Sequence, residues 1–137
     1  MKFFIQQNQL IQAPVKIEKE IVVKVSPKLL YNFISTPGGL SKWFAEDVNI
    51  NGDEYSFYWD DECEKARLID KKRDSFVKFQ WEKYTGTEYF FELIITQDDL
   101  TKESSLRFID YVMPDEEDEL GRIIDTQLQK LKSLLGL

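Results

Sequence analysis

Apolar and polar residues alternate along much of the chain between residues 48 and 112, and this period of two predicts strands with one buried face. An earlier run, Ile21, Val23 and Val25, predicts one more strand of the same kind. Asn51-Gly52 predicts a type I′ hairpin turn, because both residues tolerate positive φ. The apolar positions of three later strands are Tyr55, Phe57 and Trp59, then Val77, Phe79 and Trp81, and finally Tyr89, Phe91 and Leu93.

Three other segments carry the pattern of helices. Ser26-Pro27 and Thr36-Pro37 each place a capping hydroxyl before a proline at the first helical position, which predicts two short helices. After Pro114, the carboxylates of residues 115–119 favour the start of a long helix, and Gly136 ends it. The apolar faces consist of Leu40, Trp43 and Phe44 in the second helix and of Leu120, Ile123, Ile124, Leu128, Leu131 and Leu135 in the last.

This order of elements resembles the START-like (SRPBCC, helix-grip) superfamily. Within it, the segment Ser35-Thr36-Pro37-Gly38-Gly39-Leu40-Ser41-Lys42-Trp43-Phe44 and the strand Phe79-Gln80-Trp81 are similar to the Hsp90 ATPase activator C-terminal-domain-like family. The resemblance implies an α+β helix-grip fold, in which a curved antiparallel sheet of about six or seven strands wraps round the C-terminal helix. It also implies a ligand cavity between the concave face of the sheet and that helix.

Residues 16–137 are expected to form a single START-like domain, preceded by an N-terminal arm of residues 1–15. The arm is polar and rich in Gln, with two apolar islands at Phe3–Ile5 and Leu10–Ile11. Such a segment could be a free arm, an extra edge strand or a surface that packs on a partner.

Deletion of residues 1–15 is therefore expected to leave the domain folded, because the predicted core lies entirely in later residues. Circular dichroism of the truncated protein checks this expectation. An unfolded spectrum would mean that the arm is a structural strand.

The charge of the chain argues against two classes of partner. Its 25 acidic and 18 basic residues give a net charge of −7, whereas nucleic acids and anionic membranes attract Lys and Arg clusters. No apolar stretch approaches the length that would insert into a membrane. Cys63 is the only cysteine, which fits a reducing compartment, so a cytoplasmic location is expected.

The residue types also limit the chemistry. The chain has no His, which excludes an imidazole base and His-ligated zinc. Cys63 lies between Glu62 and Glu64, and these carboxylates disfavour a reactive thiolate. Asp60, Asp61, Glu62 and Glu64 do not have the spacing of a calcium loop. No catalytic residue, metal site or cofactor is therefore predicted, and a non-catalytic protein is favoured over an enzyme of the cyclase or hydrolase sort.

The aromatic positions of the strands are the main candidates for a site, because they face the gap between sheet and helix. Either they line a usable pocket or they simply fill the gap. Arg107 and Asp110 lie on opposite faces of the last strand, so only one can point inward as a polar group. The candidates for the cavity are Trp43, Phe57, Trp59, Val77, Phe79, Trp81, Tyr89, Phe91, Leu93, Asp110, Ile124 and Leu128.

Two functions from different classes follow from these alternatives. An open pocket predicts a non-catalytic domain that binds a small apolar or amphipathic ligand between the sheet and the C-terminal helix. A filled core predicts a protein-interaction or stress-response module, which binds a protein partner or a second copy of itself.

Overall fold

A curved antiparallel sheet of seven strands dominates the computed structural model, which describes residues 3–6 and 9–136, with side chains from Gln12 onward. The sheet strands are β3 (Val15–Val23), β4 (Asp47–Asn51), β5 (Glu54–Trp59), β6 (Glu62–Lys72), β7 (Phe76–Trp81), β8 (Phe91–Gln97) and β9 (Ser104–Val112). Two strands precede them, β1 (Phe3–Gln6) and β2 (Gln9–Gln12). The helices are α1 (Pro27–Ser35), α2 (Pro37–Leu40) and α3 (Glu117–Leu134). The helix-grip fold predicted from the sequence is thus confirmed.

The strand order of the large sheet is β3-β9-β8-β7-β6-β5-β4, so the first and last strands of the sequence pattern are neighbours. All pairs are antiparallel, and β3 pairs with β9 over its full length, from Val15 opposite Val112 to Val23 opposite Ser104. The order leaves β3 and β4 as the two edges of the sheet.

The alternation of apolar residues places one face of this sheet in the core. The inward residues of β5, β7, β8 and β9 are buried side by side, as the period of two requires. The helices supply the other side of the core through Leu30, Ile34, Leu40, Ile124 and Leu128.

The two short helices begin where the capping signals place them. Ser26 accepts a hydrogen bond from the backbone N–H of Leu29 at 3.1 Å, and Thr36 accepts one from Gly39 at 2.9 Å. A Cβ atom at position 39 would collide with the backbone carbonyl oxygen of Asn32, so only glycine allows α2 to approach α1 this closely.

Three local details differ from the predictions. Helix α2 ends at Leu40, so Trp43 and Phe44 lie in the turn after it and not on a helical face. In the β4–β5 hairpin, Asn51 pairs with Glu54, and the loop consists of Gly52 and Asp53. Only Gly52 has positive φ, which is the sign pattern of a type II′ turn and not of type I′.

Tyr89 is a further correction, because β8 begins only at Phe91. The ladder between β7 and β8 stops at the pair Phe79–Phe91. Beyond it, the side-chain amide of Gln80 donates to the carbonyls of Thr87 and Tyr89, at 3.0 and 3.2 Å. A side chain thus takes the place of a strand partner, and Tyr89 loses the inward position that alternation gave it.

The N-terminal strands β1 and β2 form a separate two-stranded sheet, in which Phe3 is opposite Gln12 and Gln6 is opposite Gln9. They are not strands of the seven-stranded sheet. Ala13 is buried at 1% exposure, and β3 begins at Val15. Deletion of residues 1–15 would therefore remove Ala13 and Val15 as well. A deletion that ends at Gln12 leaves both residues in place.

Helix α3 packs on the core through a stripe of buried residues spaced about one turn apart, which are Gly121, Ile124, Leu128 and Leu131. A 3₁₀ turn, Pro114–Glu116, leads into it, so the α-helix starts slightly later than the acidic run indicated. Among the described residues, no helix has the length and apolarity needed to cross a bilayer.

Truncation of Leu128 should reveal how much α3 stabilises the fold. Leu128 is 2% exposed, and Leu128→Ala is expected to lower the free energy of unfolding by about 2–5 kcal/mol through lost burial and a cavity. Leu134 on the same helix is 47% exposed, so Leu134→Ala serves as the matched control. Equal losses of stability in a denaturant titration of the two variants would contradict the packing of α3.

Candidate ligand-binding cavity

The aromatic cluster around Phe44 forms the inner end of the candidate site. The Phe44 ring lies 5.1 Å from Phe57, 5.5 Å from Trp59 and 5.1 Å from Phe91, measured between ring centroids. Its carbonyl oxygen accepts two hydrogen bonds of 2.8 Å, from Nε1 of Trp59 and from Nε2 of Gln127. The turn after α2 is thereby joined to both the sheet and α3.

Helix α3 approaches the sheet most closely at the β3 edge. The backbone at Gly121 lies near Ile17, and Lys19 forms an ion pair with Asp125 at 3.3 Å. Helix α3 thus packs against β3, whereas residues of β5, β6 and β7 border open space. The space that remains on that side is the candidate site.

This space is a cavity of about 670 Å³, within the range of small-molecule sites. A second recess of about 590 Å³ adjoins it and shares Phe44, Trp59, Glu119, Ile123 and Gln127. The apolar lining of the main cavity comes from Phe44, Trp59, Trp81, Phe108, Val112, Leu120, Ile123 and Ile124. Part of the gap between the sheet and the helix is therefore open, and packed core side chains fill the rest.

Among the described residues of the lining, Asp110 is the one buried ionisable group. It lies on β9 with 7% of its surface exposed and accepts a hydrogen bond from the backbone N–H of Tyr111 at 2.8 Å. The Trp81 indole N–H lies 3.3 Å from Oδ1 and 3.4 Å from Oδ2. Burial raises the pKa of Asp110 to about 7, against the opposing effect of these hydrogen bonds and of Lys83.

The mouth of the cavity carries mostly negative charge. Five exposed ionisable residues line it, which are Glu62, Glu64, Lys83, Glu116 and Glu119. Four are carboxylates and one is an amine, so the electrostatic potential at the mouth favours cations.

The structure divides the predicted site residues into three groups. Trp59, Trp81, Asp110 and Ile124 line the main cavity, and Trp43 lines the adjoining recess. Buried in the core without lining either space are Phe57, Val77, Phe79, Phe91, Leu93 and Leu128. Tyr89 lies outside the cavity, where its ring contacts Tyr84 at 5.6 Å and Tyr111 at 5.1 Å.

The choice between Arg107 and Asp110 is resolved in favour of Asp110. Arg107 points to the opposite face of the sheet, where its Nε atom lies 3.8 Å from Glu18 and 3.7 Å from Glu20. Asp110 shares the inward face with Leu106 and Phe108, because the three alternate along β9. Leu106 and Phe108 are apolar residues at alternate positions before Asp110, and this sequence pattern could have shown that Asp110 points inward.

Several lining residues were not predicted. Phe108 lies two positions before Asp110, so alternation could have identified it. Phe44 was expected on a helix face. The sequence could have identified it as a lining residue only through its neighbour Trp43, which was a cavity candidate. Gln127 carries no sequence signal, because its role depends on the distant carbonyl of Phe44.

Metal binding finds no support in the part of the chain that the structure describes. No group of three or more Cys, Asp or Glu side chains there could hold a metal ion.

Comparisons with known proteins agree with this architecture. The sequence profile of the START-like superfamily domain matches residues 11–137. A solution structure of BfR322 from Bacteroides fragilis is 30% identical, with a TM-score of 0.62, and the match covers 92% of this chain and 94% of that one. No curated protein matches the sequence.

Two more distant structures share the fold. The Aha1 dimer from Colwellia psychrerythraea is 18% identical with a TM-score of 0.76, covering 90% of this chain and 97% of that one. CalU16 from Micromonospora echinospora is 11% identical with a TM-score of 0.70, covering 98% of this chain and 80% of that one. The presence of an Aha1 structure among the similar folds agrees with the resemblance noted from the Trp43-Phe44 segment.

The buried carboxyl of Asp110 should make stability depend on pH. Its folded-state pKa of about 7 lies above the ordinary value of 3.8, so its contribution is complete below pH 3.8 and is lost as pH rises through 7. Asp110→Asn is uncharged at every pH. We therefore expect its free energy of unfolding, relative to the unmodified protein, to rise between pH 4 and pH 8 by up to roughly 4 kcal/mol.

Denaturant titrations of both proteins at several pH values measure the difference between their free energies of unfolding. Because both proteins contain all the other carboxyl groups, the contributions of those groups cancel in this difference. A difference that stays constant from pH 4 to pH 8 would show that Asp110 is not desolvated in the folded protein.

Proposed function

Because the chain belongs to the START-like superfamily, we propose that its cavity binds a small apolar or amphipathic molecule and that the protein is not a catalyst. The observation that carries this proposal is the open space of about 670 Å³ between α3 and the sheet, bounded by aromatic and aliphatic side chains. A filled core would have favoured the alternative of a ligand-free module.

The size and lining of the cavity set the affinity to expect. A guest that hides about 400 Å² of apolar surface gains about 10 kcal/mol, of which at least about 4 kcal/mol is lost to association. The remaining 6 kcal/mol or so corresponds to a dissociation constant of some tens of micromolar. A ligand with this affinity would fill the part of the cavity that Trp59 and Trp81 line.

The arrangement of ionisable groups supports binding over catalysis. General acid–base chemistry on a bound molecule needs groups whose pKa values are tuned within the site. Asp110 is the only carboxyl of the lining that is buried, whereas Glu62, Glu64, Glu116 and Glu119 are exposed at the mouth. One buried carboxyl in an apolar lining suits recognition of a ligand group.

A second function, interaction with a protein or with another copy of the chain, is supported by a different observation. The Aha1 structure from Colwellia psychrerythraea, which shares this fold, is a dimer. Light scattering of the purified protein across a concentration series tests self-association. The expected compartment for either function is the cytoplasm, since Cys63 is exposed and unpaired.

Binding can be measured by the fluorescence of the cavity tryptophans. We expect medium-chain alcohols, sterols or flat aromatic molecules at high micromolar concentration to change the emission, because Trp59 and Trp81 line the cavity. Trp81→Phe should reduce the change without unfolding the protein. Tyr89→Phe is the matched control and should leave it intact, because Tyr89 lies outside the cavity.

Native mass spectrometry of the purified protein provides an independent measurement, since it detects a co-purified small molecule directly. Absence of both a fluorescence change and a melting shift with every compound, whether neutral, anionic or cationic, would contradict ligand binding. The protein-interaction function would then be favoured.

A further inference from the structure

We propose that the cavity selects ligands with a positively charged head, an amine or quaternary ammonium on an apolar body, and binds that head beside Asp110. The inference rests on the proposed ligand-binding function and adds the charge class of the ligand. It depends on three features of the main cavity, which are the incomplete partners of Asp110, the charge at the mouth and the aromatic surfaces nearby.

The first feature is the acceptor capacity that Asp110 retains. Its Oδ1 atom accepts the short bond from the Tyr111 backbone, whereas Oδ2 has only the Trp81 indole N–H at 3.4 Å. That indole has one hydrogen and is also shared with Oδ1 at 3.3 Å. A carboxylate has about four acceptor positions, so Asp110 can accept an N–H donor from an amine ligand, whereas a quaternary ammonium pairs with it through charge alone.

No cation among the described residues forms an ion pair with this carboxylate. None of the ion pairs within 4.0 Å among the described residues includes Asp110. Lys83 is close enough to lower the pKa of Asp110, but its amine lies over the Tyr84 ring at 5.3 Å. A buried carboxylate without a cation is costly, and a ligand cation would remove that cost.

The second feature is the charge at the mouth, where four glutamates outnumber one lysine. An anionic amphiphile such as a carboxylate would have to place its head among these groups and beside Asp110. Like charges at this range cost affinity, and a cation gains from the same field. A fatty acid is therefore the disfavoured amphiphile for this cavity.

The third feature is the pair of indole rings that share the cavity lining with Asp110. The rings of Trp59 and Trp81 lie 6.3 Å apart between centroids and are inclined at 55°, and both line the cavity. Indole faces attract ammonium groups more strongly than other aromatic faces do. A carboxylate together with two indoles is a suitable chemistry for an organic cation, and the apolar body of the ligand would contact Leu120 and Ile123.

Binding of the cation requires Asp110 to be ionised, so affinity should rise with pH. Asp110 has a pKa of about 7 in the free protein, and a permanently charged ligand favours the deprotonated form. The other charged or titratable groups that face it are Glu62 and Glu64 from β6, Lys83 and Tyr84 after β7, Tyr111 on β9, and Glu116 and Glu119 at the start of α3. The carboxylates among them have exposed side chains, whereas Asp110 is buried.

The test compares octyltrimethylammonium, octanol and octanoate, which share one alkyl chain and differ in head charge, by isothermal titration calorimetry. At pH 8 we expect octyltrimethylammonium to bind at least about tenfold more tightly than octanoate. Between pH 8 and pH 5.5 its affinity should fall about tenfold as Asp110 becomes protonated, while that of octanol stays constant.

Asp110→Asn should reduce the affinity for octyltrimethylammonium about tenfold and leave octanol unchanged. Asp115→Asn is the matched control, because it removes the same charge from an exposed residue outside the cavity lining, and it should leave both affinities unchanged. Binding of octanol without any preference for the cation, or a preference that survives Asp110→Asn, would overturn the inference and leave the proposed function standing. Failure of all three probes to bind would overturn the inference, and failure of the sterols and flat aromatic molecules as well would overturn the proposed function.

Discussion

The rest of the structure depends on Phe44, because its ring and its carbonyl are held by different parts of the chain. The ring is in contact with residues of β5, β7, β8 and β9, while the carbonyl oxygen accepts hydrogen bonds from Trp59 on β5 and Gln127 on α3. A buried carbonyl must be satisfied, so these two donors tie the position of α3 to that of the sheet. The distance between helix and sheet, and with it the cavity, follows from this contact.

The cavity exists because the two ends of that packing differ. At the β3 edge, α3 packs directly on the sheet, where Gly121 lies near Ile17 and Lys19 forms an ion pair with Asp125. Toward β5 and β7, the large rings of Trp59 and Trp81 border the open space. The side chains between helix and sheet are thus packed at the β3 edge, whereas space for a ligand remains beside β5 and β7.

Asp110 is the residue whose position is hardest to explain by stability. A carboxyl in an apolar lining lowers stability at neutral pH, and an apolar residue of similar size would fit the neighbouring Phe108 and Val112. Recognition of a ligand group provides a reason for its presence, since functional sites often retain groups that the fold alone does not favour. Its Trp81 partner belongs to the same lining, so the polar and aromatic features of the site form one unit.

The sequence by itself determined the elements and most of the core. These features follow from local patterns, which are period-two alternation, the caps at Ser26 and Thr36 and the apolar stripe of α3. Each pattern depends only on residues that are close together in the sequence. It also placed Arg107 and Asp110 on opposite faces. The tertiary structure decided which inward side chains border empty space: Phe79 and Leu128 are packed, whereas Trp59 and Trp81 face the cavity. It also excluded Tyr89 and brought in Phe44 and Gln127, because a cavity is the gap between distant elements and its size depends on how all of them pack together.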